Sequence, residues 1–189
     1  MQQYRPFGLR PAFNSSGIMR PTVLATIASG YNTTIYQGAP VLVDGNGQLT
    51  AVAAGDDNLW NGIFQGVEFT DVEGRRRYSN RWIAGTVATD IRAYYFSDDP
   101  NTFYEVQADG SLNRSAIGDQ APFTTISGSA VHGNATFGLD ADSLVGTGDQ
   151  SQMRIVGLVP GPDNEWGDAF PILLVQNSAH PWVARVNVP

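Results

Sequence analysis

The chain has 189 residues, of which 42% are hydrophobic, 11% aromatic and 15% charged, with a net charge of −7. That balance describes a folded chain with one sizeable core and excludes general disorder; an acidic body is also a poor electrostatic match for nucleic acid. There are no cysteines, so disulfides, thiol catalysis and thiolate zinc centres are excluded.

Residues 1–20, MQQYRPFGLRPAFNSSGIMR, show neither helical nor strand periodicity, and Pro6 and Pro11 keep them extended. They are predicted as an N-terminal arm ahead of a single β domain over 21–189. The arm carries Arg5, Phe7, Arg10, Phe13 and Arg20 together with Tyr4 and Leu9. Because the first acid is Asp44, residues 1–43 hold +3 and the remainder −10. A segment this apolar has to cover something, either its own body or a neighbouring subunit. On the second alternative the arginine forks and aromatics anchor a partner, and residues 1–20 could be removed without unfolding the body. The N-terminus lacks the apolar stretch of a signal peptide, and no run of about 18 apolar residues occurs. The expectation is a soluble protein with no membrane span and no cleaved export signal, in which the sequons at Asn32, Asn113 and Asn134 arise by chance.

From Pro21 onward β signals accumulate: TVLATIA, APVLV, QLTAVA, GIFQGVEF, RWIAGTVAT, IRAYYFS, TFYEVQ, FTTIS, MRIVGLV, FPILLVQ and WVARVNV. β-branched and aromatic residues dominate these runs, and Gly, Asn, Asp or Pro separates them. The fold class is therefore all-β, a barrel or sandwich. Trp182, Ala184, Val186 and Val188 alternate as on a half-buried strand, whereas RIVGLV and PILLV are apolar on both faces and should lie between layers. Between VLV and LTAVA stands Asp44-Gly45-Asn46-Gly47-Gln48, which has the first three ligand positions of a calcium loop but Gly55 at the twelfth, so a tight hairpin turn is expected. Residues 44–56 and 109–119 echo each other faintly without forming a repeat. The Gly/Ser/Asp-rich stretch 128–152 is long for a structureless loop, and a binding role would explain its length.

Chemistry-bearing motifs are sparse. His132 and His180 have no G-x-S-x-G elbow or zinc-ligand spacing around them, and no phosphate-binding loop with lysine can exist where all 11 basic residues are arginine. Asp98 with Asp99, Asp140 with Asp142, and Asp163 with Glu165 and Asp168 are the acid clusters. Their turn-like contexts suit solvated acids, with a weak cation site at Asp140 and Asp142 as the alternative. Arg75, Arg76 and Arg77, in VEGRRRYSNRW, are either a hydrated hairpin tip or a contact for an acidic surface, including that of a sister subunit.

The passages GAPVLVDGNGQLTAVAAGDDNLWNGIFQGVEF, RWIAGTVATDIRAYYFSDDPNTFYEVQADGS and RIVGLVPGPDNEWGDAFPILLVQNSAH resemble, in layout, the virion structural proteins of tailed bacteriophages, particularly small capsid decoration or cement proteins. The likeness spans residues 31–180. It implies a β body with an extended terminal segment, no catalysis and no cofactor. It also implies assembly as a homo-oligomer, most simply a trimer, and the major capsid protein as partner, on a virion built in the host cytoplasm. The residues placed at such contacts are Arg5, Phe7, Arg10, Phe13, Arg20, Arg75, Arg76 and Arg77. A tail-fibre or receptor-binding β module and a small carbohydrate-active enzyme with an acidic cleft are the alternatives.

Overall fold

The computed structural model describes residues 3–17, 23–55, 58–96, 99–146 and 150–183. Among these, eleven strands form: β1 (Arg10–Asn14), β2 (Val23–Ala25), β3 (Pro40–Val43), β4 (Leu49–Ala51), β5 (Gly62–Thr70), β6 (Arg76–Ser79), β7 (Thr89–Phe96), β8 (Thr102–Gln107), β9 (Gln120–Ala121), β10 (Met153–Leu158) and β11 (Ile172–Asn177), with a 3₁₀ turn at Arg114–Ala116. The strands make two antiparallel sheets. One runs β1-β8-β11-β10-β9; the other runs β2-β7-β5-β3-β4, with β6 paired to β5. The all-β expectation holds, in a sandwich- or barrel-like arrangement of two sheets, and among the described residues no helix is long and apolar enough to cross a membrane.

One turn chemistry recurs. In Asp44–Gly47, the Asp44 Oδ1 accepts the N–H groups of Asn46 (2.9 Å) and Gln48 (2.8 Å), while Gly47 N donates to Asp44 O. In Asp71–Gly74 the same bonds run from Glu73 and Arg75 to Asp71 Oδ1 and from Gly74 to Asp71 O. Asn14–Gly17 repeats it with Ser16 and Gly17. The closing glycine has a positive φ in each, +76° at Gly17, +74° at Gly47 and +78° at Gly74, a conformation that costs glycine nothing. The hairpin expected at Asp44 is therefore present, and its carboxylate is occupied by its own loop.

The core joins the sheets through aromatic rings. Trp60, just before β5, lies 5.3 Å from Tyr104 of β8 and 5.6 Å from Phe123, which in turn meets Phe137 at 5.2 Å. All four rings are essentially inaccessible. The Trp60 indole N–H donates to the Gln152 carbonyl at 2.9 Å, which satisfies the one polar atom of that side chain. The Gln152 side chain is itself buried and binds four backbone groups: its Oε1 accepts from Gly55 and Phe123, and its Nε2 donates to Ala53 and Asn58.

Several expectations are corrected. The described part of the 1–20 segment is extended, and it is bonded to its own body. Gly8 N donates to Phe137 O, Leu9 N donates to Gly38 O, and Arg5 N donates to Gln107 Oε1 at 2.8 Å; Leu9 is a core residue and β1 pairs with β8. Gly8 has φ +73°, and a Cβ there would lie 3.0 Å from both the Ala135 Cβ and the Gly38 carbonyl, so only glycine lets the segment approach so closely. Of RWIAGTVAT only the final Thr89 is in a strand, at the start of β7, because turns close around Gly85; Trp82 makes only an isolated bridge to Ile35. FTTIS likewise contributes a bridge from Phe123 to Leu139. Of WVARVNV, Trp182 and Val183 are exposed in a turn, and Ala184 onward lies outside the described residues. Strands β10 and β11 bury one face fully, at Met153, Ile155, Leu173 and Val175, and the other only partly. The 128–152 stretch spends its length on structure, placing Ala135, Phe137 and Leu139 in the core.

Two measurements follow from this packing. Removing residues 1–14 is expected to destabilise the body by more than a single core Leu→Ala change, about 2–5 kcal/mol, because Leu9, strand β1 and the partners of Gln107 go together; chemical denaturation of the truncated chain checks it. Gln152→Ala should cost about 1–3 kcal/mol, since the buried Phe123 N–H and three less buried backbone groups lose the partner that this amide supplies. A denaturation midpoint unchanged by Gln152→Ala would refute the role assigned to that amide.

Candidate functional site

Two surfaces gather the candidate residues. The first is the edge of the β1 sheet. Strand β1 is terminal in its sheet, so one side of its backbone faces no other strand among the described residues. Phe13 is 46% exposed and stacks on Phe103 at 4.7 Å. The Arg10 guanidinium lies 3.9 Å above the Phe7 ring, an arrangement in which the ring quadrupole attracts the cation. Phe7 and Arg10 line a cleft of about 380 Å³ with Gln37 and His132. Arg5 is exposed beside it, and Arg20 lies outside the described residues. The structure thus brings Phe7, Arg10 and Phe13 onto one continuous segment fixed by the body.

The second surface is the β5–β6 hairpin, where the arginine run proves to be charge-matched from within. Arg75 pairs with Glu73 at 2.7 Å, Arg77 with Asp71 at 2.8 Å, and Arg76 with Glu68. Sequence reading weighed the arginines alone. The signal it lacked was the register, in which Thr70 faces Arg76 and Glu68 faces Tyr78, so that strand pairing sets acids beside bases. The hydrogen bond from Arg76, and more weakly that from Tyr94, holds the Glu68 carboxyl below its usual range. The backbone N–H of Arg75 and the Arg77 side chain do the same for Asp71. For Asp44 the N–H of Gln48 is the main cause.

On the outer face of this sheet a shallow groove of about 760 Å³ opens over Gly66. Register puts Tyr94 opposite Gly66, and Arg92 and Tyr78 on either side of Glu68. Alternation therefore points Tyr78, Tyr94 and Glu68 outward, while Val67 and Ala93 face the core. Glu68 ties the group together, accepting from Arg76 Nε at 2.7 Å and from the Tyr94 hydroxyl at 3.1 Å. Tyr78 is 75% exposed. Neither tyrosine was picked out in the sequence, because IRAYYFS and GRRRYSN carry no motif that marks them.

The remaining candidates are engaged elsewhere. His180 is buried, its Nδ1 accepting from Trp182 N. His132 is exposed, and its carbonyl accepts from Asn80. Asp140 caps its own turn through Asp142 N and the Ser143 hydroxyl, Asp168 does so through Glu165 N, and Asp99 accepts from Asn101 N and Asn14 Nδ2. Asp98 lies outside the described residues. Among the described residues no three His, Cys, Asp or Glu side chains converge on a metal-sized site.

The lowered carboxyl groups set an acid limb. The folded chain keeps Asp44, Asp71 and Glu68 ionised at a pH where the unfolded chain protonates them, so the unfolded state binds more protons as pH falls. Their stabilisation is complete above the unfolded carboxyl range, near pH 4, and is lost as pH drops through the folded values. Thermal melts should therefore change little between neutral and mildly acidic pH and begin to fall below about pH 4. Asp71→Asn should shallow that limb, because its amide accepts the same backbone bonds without a charge to titrate. An acid limb of unchanged slope would refute the assignment.

No protein-family model, no curated protein and no solved structure matches the chain.

Proposed function

We propose that the protein is a non-enzymatic structural component of a tailed-phage virion, which decorates and stabilises the capsid by binding the lattice of the major capsid protein as a homo-oligomer, with a trimer favoured. The observation that carries this reading is the β1 edge. A terminal strand presents backbone groups that can pair with another chain, and here it also presents Phe13 on a stacked platform and Arg10 on Phe7. Aromatic and arginine side chains held in place by their own neighbours are the usual anchors of protein interfaces, since little side-chain entropy remains to be lost on docking.

A lattice site completed only by assembled capsid subunits would be stabilised by linkage, because the protein binds the assembled state and not its separated parts. A contact of standard size buries about 800 Å² per partner, and a trimer repeating it gains avidity without further chemistry. The reading as a carbohydrate-active enzyme is less well supported. Glu68 is the carboxylate lining the groove of about 760 Å³ over Gly66, and Arg76 lowers its pKa, whereas a general acid for glycoside cleavage needs a raised one.

The test is a binding titration against undecorated shells. Replacing Arg10 and Phe13 together by Ala should weaken attachment at least about tenfold, roughly 1.4 kcal/mol, with circular dichroism unchanged. Replacing Arg75, Arg76 and Arg77 should matter less, because those charges are already neutralised within the hairpin. Equal attachment by the Arg10/Phe13 double variant, or labelled protein found at the tail tip and not on the shell, would overturn the proposal.

A further inference from the structure

We infer that the groove over Gly66 on the outer face of the β5–β6–β7 sheet is a binding site for a neutral oligosaccharide. This stands on different residues from the capsid reading and does not depend on it.

Gly66 of β5 lets β6 close in on it, since a Cβ there would lie 2.9 Å from the Ser79 carbonyl, and at this point, which lines the groove, Tyr94 of β7 flanks it. Tyr78 of β6 stands nearby on the same face, 75% exposed. Exposed aromatic side chains on a rigid sheet offer π faces with negative potential, against which the slightly positive C–H faces of a pyranose pack. The groove's end is polar: Gln65 and Asn80 line it, and while Asn80 Nδ2 donates to the His132 carbonyl, the Gln65 amide supplies both a donor and an acceptor, the pairing that sugar hydroxyls require.

Charge then narrows the ligand. The carboxylate that lines the groove, Glu68, is bonded to Arg76, and neither Arg76 nor Arg92, its cross-strand neighbour, lines the groove itself, so neither sign of ligand is called for. The same carboxylate accepts the Tyr94 hydroxyl at 3.1 Å, making Glu68 a positioning residue that fixes one aromatic wall before any ligand arrives. Such prior order lowers the entropy lost on binding. Shape points the same way. A volume of about 760 Å³ is that of an ordinary ligand site, and its openness on the sheet face suits a chain of sugar rings lying across it. A peptide recruited by strand addition would instead use the free edge of β6, where its backbone could hydrogen-bond.

The experiment is isothermal titration of the full chain with soluble neutral oligosaccharides of glucose, galactose, mannose and N-acetylglucosamine, with a sialylated oligosaccharide as the anionic control. At least one neutral series should saturate with a Kd in the micromolar to millimolar range. Tyr78→Ala, at an exposed position that leaves the fold intact, should weaken that binding at least about tenfold. Tyr94→Phe, which removes only the hydroxyl bonded to Glu68, should weaken it less, and Val72→Ala, on the exposed turn away from the groove, should leave it unchanged. Failure of every neutral series, binding that survives Tyr78→Ala, or binding of the sialylated control alone would each overturn the inference. Loss of attachment to capsid shells in Tyr78→Ala, without sugar binding by the parent chain, would overturn it too, by assigning this face to a protein partner. None of these outcomes touches the Arg10/Phe13 measurement on shells.

Discussion

The two sheets depend on the joint around Gln152 and Trp60. Strands in this protein are short, and much of the chain between them runs inside the molecule, where backbone N–H and C=O groups cannot reach water and must be paired. Regular ladders supply only part of that pairing. Gln152 supplies a share of the rest: one amide binds Ala53, Gly55 and Asn58 on one side and Phe123 on the other, and its backbone carbonyl takes the indole of Trp60. In a low-dielectric interior such bonds are strong when all are made and costly when one is missing. The joint therefore specifies one arrangement of loops around the aromatic core and disfavours others.

Other buried amides repeat the device. Gln107 accepts from Arg5 N and donates to the carbonyls of Gln3 and Phe170, closing the N-terminal segment onto the loop before β11. Asn164 binds Val159 and Ile172 across the β10–β11 connection, and Asn177 donates to the carbonyl of Trp60. Side chains with a donor and an acceptor on one rigid plane can substitute for a missing stretch of strand. This is how a chain with 21 glycines and 11 prolines stays ordered between its strands, and it is why the N-terminal segment belongs to the body. That attachment also sets what β1 can offer a partner. Pro11 has no N–H, and the pairing with β8 shifts register between Pro11 and Phe13; both features blunt indiscriminate strand addition at an edge. Recognition there falls mainly to Phe13 and Arg10, whose positions the body dictates.

Much of this was legible in the sequence. TFYEVQ became β8 residue for residue, and the Asp-Gly-Asn-Gly run became the expected hairpin, because alternation and turn chemistry are local signals. The failures have a common physical origin. RWIAGTVAT has strand composition, yet the Trp82 indole donates to the Tyr31 carbonyl and the chain turns at Gly85, which donates to Tyr31 O, so long-range contacts override local propensity. Strand β1 was hidden because Pro6, Pro11 and Gly8 look like breakers until β8 and Ala135 are placed beside them. The groove residues were hidden more deeply: Tyr78, Tyr94 and Glu68 lie on three strands, and only register brings them together.

The distribution of charge separates the two surfaces physically. The β5–β6 hairpin balances Arg75, Arg76 and Arg77 against Glu73, Glu68 and Asp71, so its field cancels within a few ångströms and a neutral ligand would bind there with little dependence on salt. The N-terminal edge is different. Arg5 and Arg10 are exposed at one margin of a body whose net charge is −7, which leaves a cationic rim on an acidic molecule. Such a rim is attracted to acidic surfaces, including those of another copy of the chain, and that attraction weakens as ions shorten the screening length to about 8 Å near physiological strength. Ionic strength is therefore the variable that tells the surfaces apart: contacts made through Arg10 and Phe13 should lose their electrostatic part in high salt and keep their aromatic part, while whatever occupies the tyrosine groove should be held by stacking and hydrogen bonds at any salt concentration.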